Sequence, residues 1–341
     1  FTTKVPRTLG LVRETENHLV MTAGSRYLKN RWLRLHGSTD PRHDNAANGL
    51  ETELLDVLNE FRTAGFYEFN SIPYDGYMLT GLLNLEAFGA EPVAAAAREI
   101  LDRANCTYAL GSLDGRRFPP FRRQLRRADV TALDEDYHTA LMTTWMSFAP
   151  AAGAERELKA GSHHALLAAL LPYRLPDRTA AWVTAHPARY FVRVGHGLRS
   201  SPELYSGGPG YLLSAGGVHR GKRSMIVARP ITLLLDDDAR DRSAVLHLAG
   251  PGEDFTAWNN TGVHRDFAVA AGPVHVPEDW EPAAQNTQWS VYQPTQTSPR
   301  IAVHTTPSLG LVALVHDGTA AQVLSALTDA NPDPDALAAR F

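Results

Sequence analysis

The chain has 341 residues, 44% of them hydrophobic and 21% charged, which supplies a sizeable core and excludes a disordered or collagen-like polypeptide. Its 33 basic and 37 acidic residues give a formal charge of −4, which removes the overall basic field that non-specific nucleic-acid binding needs. No apolar run approaches the roughly 20 residues of a membrane span, and a single cysteine, Cys106, excludes an internal disulfide framework.

The first half reads as successive helices. Residues 14–35 form one amphipathic stretch. Leu50, Leu54, Leu55, Leu58 and Phe61 then recur at helical spacing, and Gly65 stands where a left-handed cap would stop the helix. Met78, Leu79, Leu82, Leu83 and Phe88 repeat the pattern, and Glu91-Pro92 opens an alanine-rich helix to about Ala104, completing an antiparallel hairpin. Residues 116–127 are basic, interrupted by Pro119-Pro120, and read either as a solvated face or as a track for an acidic polymer. Further helices are expected over residues 134–148, with Asp134 as N-cap, and over residues 155–171.

From about Arg189 the period changes to short β-rich runs at residues 190–194, 224–228, 231–235, 244–248, 267–270, 301–304 and 311–315. Residues 206–210 and 259–262 are Gly/Pro/Asn clusters that read as turns, and the tail from Thr319 reads as a short helix with a Pro/Asp-rich end. Helices followed by strands predict an α+β protein with segregated layers, a helical domain over 1–180 and an antiparallel β-domain over 181–341. No glycine-rich phosphate loop is present, which argues against a nucleotide enzyme.

Four clusters carry chemistry. Glu16-Asn17-His18 opens the first helix. The segment from Gly65 to Tyr77, expected as a loop between helices, brings together Glu68, Asn70, Tyr74, Asp75 and Tyr77, and aromatic rings with polar tips suit a sugar ring. Tyr137-His138 form a pair suited to acid–base work on a helix that also carries Trp145. The stretch from Arg189 to Tyr211 holds Arg193, His196, Arg199, Glu203 and Tyr205. His163-His164, about 100° apart on a helix, make poor co-ligands for a metal, and the histidines of the strand-rich half leave a structural divalent ion in the β-domain open.

The Glu16-Asn17-His18 run, the segment from Gly65 to Tyr77, and Pro172-Tyr173-Arg174-Leu175-Pro176 leading into strands together resemble bacterial polysaccharide lyases of the heparinase II/III and alginate lyase type. The resemblance implies an N-terminal α/α-toroid, in whole or in part, followed by an antiparallel β-sandwich. It implies β-elimination on a uronate-containing polysaccharide: His18, Tyr74 and His196 as the catalytic set, Asn17 on the uronate carboxylate, and no cofactor. Glu16, Glu68, Asn70, Tyr77, Tyr137, His138, Arg193, Arg199, Glu203 and Tyr205 would then line the substrate. A start at Phe1 reads as a processed chain or a piece of a longer one, so a secreted or periplasmic enzyme without a membrane span or nucleic-acid partner is expected. Two alternatives stand beside it: a glycoside hydrolase with Glu68 as acid and Glu16, Asp75 or Glu203 as partner, and a non-catalytic glycan-binding protein.

Overall fold

The computed structural model describes residues 2–4, 11–13, 15–66, 69–72, 74–119, 121–122, 137–149, 163–194, 203–216, 226–227, 231–236, 245–248, 261–296, 298–333 and 336–337. Among these, eight α-helices and antiparallel sheets make an α+β protein. Residues 1–108, 135–181 and 196–198 form one unit, and residues 109–134, 182–195 and 199–341 form a second.

The helical unit opens with a hairpin of β1 (Thr2–Lys4) and β2 (Leu11–Arg13). It continues with α1 (Glu16–Leu35), α2 (Leu50–Ala64), α3 (Tyr74–Phe88), α4 (Glu91–Leu110), α5 (Tyr137–Phe148), α6 (His163–Leu170) and α7 (Asp177–Thr184), the last residues of α4 and α7 already belonging to the second unit. In α2 the apolar stripe Leu50, Leu54, Leu58 and Phe61 is buried, and Gly65 at φ 75° ends the helix with its N–H on the Phe61 carbonyl.

Helix α3 is apolar over most of its circumference, and Met78, Leu79, Leu82, Leu83 and Leu85 are all buried, so it is the centre of this unit. Small residues let α1 lie directly against it. A Cβ on Gly81 would stand 2.6 Å from Val20 Cγ1, and one on Gly24 would stand 3.5 Å from Leu85. Residue numbers at these two contacts rise together, so α1 and α3 run parallel. Helix α4 runs the other way, pairing Arg98 with Glu86 of α3.

Helix α3 begins at Tyr74, not near Met78. Tyr74 to Tyr77, expected in a loop, are therefore its first turn: the Asp75 N–H bonds the Ser71 carbonyl at 3.0 Å, and the Asp75 carboxylate sits where the helix dipole favours negative charge.

The strands of the second unit are β3 (Phe121–Arg122), β4 (Tyr190–Val194), β5 (Glu203–Gly208), β6 (Tyr211–Gly216), β7 (Ile226–Val227), β8 (Ile231–Leu235), β9 (Val245–Leu248), β10 (Thr261–His264), β11 (Phe267–Ala270), β12 (Val274–His275), β13 (Pro282–Gln285), β14 (Ser290–Tyr292), β15 (Arg300–Thr305) and β16 (Gly310–Val315). One six-stranded sheet has the order β12-β9-β8-β6-β5-β4, the other β10-β11-β16-β15-β14-β13, and β3 pairs with β7. A single apolar core takes Leu213, Ile231 and Leu233 from the first sheet and Ile301, Val303 and Val312 from the second. The short α8 (Ala320–Ala330), held at its start by a Thr319/Gln322 capping box, packs Val323 on the other face of the second sheet beside Trp289 and Leu311.

Residues 109–119, which the sequence reading assigned to the helical half, cover the other face of the first sheet. Leu113 and Phe118 pack with Tyr205, Leu212 and Leu234, and Thr232 donates to the Phe118 carbonyl at 3.0 Å. Coverage on both faces explains why every residue of β8 is buried. The start of the basic segment is therefore no solvated face: Arg117 is buried and Arg116 donates to the Leu235 carbonyl.

Residues 206–210, expected as a turn, are divided. Ser206 to Gly208 complete β5, and only Pro209 and Gly210 turn. A side chain on Gly207 would collide with the Tyr190 hydroxyl on the paired strand at 2.7 Å, so this glycine gives the tyrosine room instead of bending the chain. In the cluster at 259–262, Thr261 and Gly262 likewise belong to a strand, β10.

Candidate active site

The site is built on the first turns of α3, α5 and α6. Gly76 makes it possible: a Cβ there would lie 2.3 Å from Tyr137 Cβ, so only a bare backbone lets α5 approach α3 this closely. The approach sets the Tyr77 and Tyr137 ring centroids 5.9 Å apart. His164 stacks on Tyr137 at 4.2 Å with 17° between planes, while His163 lies 5.9 Å from Tyr137. Tyr77 and Tyr137 are half-buried and His163 is exposed, so this ring cluster lies at the surface, and Tyr74, also half-buried, stands three residues before Tyr77 on the same helix.

One residue further along, His138 enters the interior. Its Nδ1 lies 3.4 Å from Asp75 Oδ2 and its Nε2 lies 2.8 Å from Asn105 Oδ1. Asn105 Nδ2 donates to the Tyr173 hydroxyl at 3.0 Å, and that hydroxyl donates to Asp102 Oδ1 at 2.7 Å. These directions are mutually dependent. The Asp102 carboxylate only accepts, so the Tyr173 oxygen receives the Asn105 amide, whose own oxygen then faces His138. His138 Nε2 therefore carries a hydrogen. Burial pushes the Tyr173 phenol far above its ordinary range, which keeps it a neutral donor.

Several buried polar atoms beside this network have no hydrogen-bond partner among the described residues: Ser71 Oγ, Asp75 Oδ1 and both ring nitrogens of His164. Burial, followed by the neighbouring His163, brings His164 down to about 4. In the unfolded chain a histidine takes up its proton near pH 6.5. The folded state disfavours that proton until about pH 4, so the stability gained by keeping His164 neutral is complete above about 6.5 and is lost as pH falls towards 4, at roughly 1.4 kcal/mol per pH unit. His164→Phe keeps the ring stack and removes this loss. Denaturant titrations at pH 7 and pH 5 should show an acid destabilisation about 2 kcal/mol smaller in the variant than in the parent.

Helix α1 brings its own first turn to the same end. Glu16 precedes the Val20 contact by four residues and Tyr77 precedes the Gly81 contact by four, so on parallel helices they stand level. Asn17 is buried, with Oδ1 accepting from Thr15 Oγ1 at 2.7 Å. His18 is exposed, and its carbonyl accepts from Thr22 Oγ1 at 2.6 Å. Asn70 turns the chain into α3 at φ 50° and is buried. The N-termini of α1 and α3 stand side by side, each with a carboxylate, Glu16 and Asp75, in its first turn.

Arg193 is exposed on β4 of the second unit, and Glu203 is buried on β5, where it accepts from the Tyr205 hydroxyl. Glu68, His196 and Arg199 fall outside the described residues. Asp75, weighed as a hydrolase carboxylate, is buried and paired with His138. The sequence reading missed Asn105, Asp102 and the ring packing of His163 and His164. Only a repeated helical register could have signalled the first two, and the histidine pair was weighed solely as metal ligands. Among the described residues no three His, Cys, Asp or Glu side chains converge as a metal site.

Compared with known proteins, the chain matches no family profile, and neither a curated protein nor a solved structure is significantly similar to it.

Proposed function

We propose that the protein is a carbohydrate-active enzyme that cleaves a uronate-containing polysaccharide by β-elimination. The observation that carries this reading is the grouping of Tyr77, Tyr137 and His163 around the first turns of three helices, with Tyr74 at the start of α3 and the N-terminus of α1 level with it. In elimination a base removes the C5 proton, the C5–H electrons form the C4–C5 double bond, the C4–O4 bond breaks, and an acid delivers a proton to O4. The charge that develops on the uronate carboxylate needs donors already in place, and Asn17 on the first turn of α1 is the proposed donor. Tyr74 is the proposed acid, and His18 with His196 completes the catalytic set. Tyr77 and Tyr137 give the sugar ring an aromatic wall, which the buried Asp75–His138–Asn105 chain holds in position.

In this reading the parallel α1 and α3, with the opposed α4, are part of an α/α-toroid, and the two six-stranded sheets are a β-sandwich. No helix among the described residues is long and apolar enough to cross a membrane. Export to the periplasm or medium belongs to the proposal, since a polymeric glycan is met there.

The test is ultraviolet absorbance during incubation with alginate, glucuronan and heparan, because elimination creates a conjugated double bond. A rise with one polymer, reduced about 100- to 10,000-fold in Tyr74→Phe, supports the assignment. New reducing ends without absorbance would replace it with hydrolysis centred on Glu68. Tight oligosaccharide binding without product would make the protein a glycan binder.

A further inference from the structure

The helical unit carries a cavity of about 170 Å³ between the C-terminal half of α1, the segment that enters α2, and Ala90 at the α3–α4 connection. Arg31 stands about 22 Å along α1 from Glu16 at 1.5 Å per residue, well away from the candidate active site. The cavity opens to solvent, and its volume suits a small polar ligand.

Most charges lining it are already satisfied. Arg34 donates to the Ser38 carbonyl at 3.1 Å and to Asp44 Oδ2 at 3.4 Å, while Asp44 Oδ1 also takes the Ala47 N–H at 3.0 Å. Two charges are not. Arg31 is half-buried and anchored through Nε to the Phe88 carbonyl at 3.0 Å, and its two terminal amino groups have no partner among the described residues. Glu51 accepts the buried Tyr27 hydroxyl on Oε2 at 3.0 Å, leaving Oε1 unused. Arg31 and Glu51 both act electrostatically on Tyr27, yet they form no ion pair with each other within 4.0 Å.

A fixed guanidinium fork and a fixed carboxylate therefore face one cavity with a gap between them. We propose that this cavity binds a small zwitterion of the α-amino-acid class, with its carboxylate on the Arg31 fork and its ammonium on Glu51. The fork suits bidentate carboxylate recognition, and the ammonium has no competitor for Glu51 Oε1. Leu35, which lines the cavity and is 68% exposed, together with Ala46 and Ala90, gives the side chain an apolar surface. A simple anion would leave Glu51 facing it with like charge, and a simple cation would leave Arg31 unmatched.

Isothermal titration of the full chain with L-leucine, N-acetyl-L-leucine and L-leucinamide tests the assignment. Leucine should bind saturably, and each blocked derivative about tenfold or more weakly, since each lacks one charge-assisted contact. Arg31→Gln should weaken leucine by about the same factor and leave leucinamide unchanged. Glu51→Gln, which keeps an acceptor for Tyr27, should weaken leucine and leave N-acetyl-leucine unchanged. No saturable heat up to about 10 mM leucine, equal affinity for all three compounds, or leucine binding unaffected by Arg31→Gln would each overturn it. Neither residue belongs to the proposed lyase machinery, so failure here and failure of the elimination assay are separate results.

Discussion

Gly76→Ala is expected to destabilise the helical unit by about 2–3 kcal/mol, the opposite sign from what helix propensity alone gives. In an exposed helix interior, replacing glycine with alanine stabilises by about 1 kcal/mol because alanine loses less backbone entropy. Here the new methyl would stand 2.3 Å from Tyr137 Cβ and 2.8 Å from its ring, far inside contact distance. The methyl cannot rotate away, and Tyr137 is held on the other side by the stack with His164. Helix α5 must move outward, which breaks the Tyr77–Tyr137 wall and stretches the Asp75–His138 pair. Gly24→Ala provides the control. Its methyl would meet Leu85 at 3.5 Å, an ordinary contact, so this change should be neutral or stabilising by up to about 1 kcal/mol. Urea denaturation of the two variants decides the matter: if both shift in the same direction by similar amounts, the close approach of α3 and α5 is wrong.

Asn105→Ala should have the larger effect, a loss of about 3–5 kcal/mol. Asn105 has no exposed surface and joins His138 to Tyr173 through opposite ends of its amide. Removing it leaves His138 Nε2–H without its acceptor and the Tyr173 oxygen without its donor, both buried, and an orphaned buried group costs about 1–3 kcal/mol. A small cavity adds to the loss. Tyr173→Phe leaves one buried group, Asn105 Nδ2, without its acceptor, while Asp102 is only half-buried and can turn to water, so it should cost less than Asn105→Ala, which orphans two. The ranking, measured by chemical denaturation, checks this arrangement. If Tyr173→Phe were the more damaging variant, the central place of the Asn105 amide between His138 and Tyr173 would be wrong.

These two positions also show why parts of the site were legible in the sequence and parts were not. Tyr137 and His138 were visible as a chemically suggestive pair because both carry their chemistry in their own side chains. Gly76 carried no such signal. A glycine inside a helical pattern reads as a weak point, and its value appears only when a second helix is laid across it. Asn105 was equally silent, since an asparagine late in an alanine-rich helix has the same local appearance whether it meets solvent or a buried histidine. The same holds for Gly207, whose glycine and proline neighbours read as a turn while the Tyr190 hydroxyl occupies the space above it. Helix α3 was placed late because Tyr74, Asp75 and Gly76 are polar or small. Local composition described the turn, and burial against α5 decided that it was helical.

The sequence by itself determined that the run of helices α1 to α7 precedes the strands from β4 onward, the apolar stripe of α2, the stop at Gly65 and several strand cores, among them Ile231–Leu235 and Phe267–Ala270, while the β1–β2 hairpin ahead of α1 carried no periodic signal. These features follow from periodicity and backbone preference, which act over a few residues and are written in neighbouring positions. Only the tertiary structure decided that α1 and α3 run parallel, that residues 109–119 cover a sheet, and that Tyr77, Tyr137, His163 and His164 meet. Those outcomes depend on which surfaces are small enough to approach and which buried polar groups can satisfy one another across long separations. Such complementarity belongs to pairs of distant residues, and no single stretch of the chain contains it.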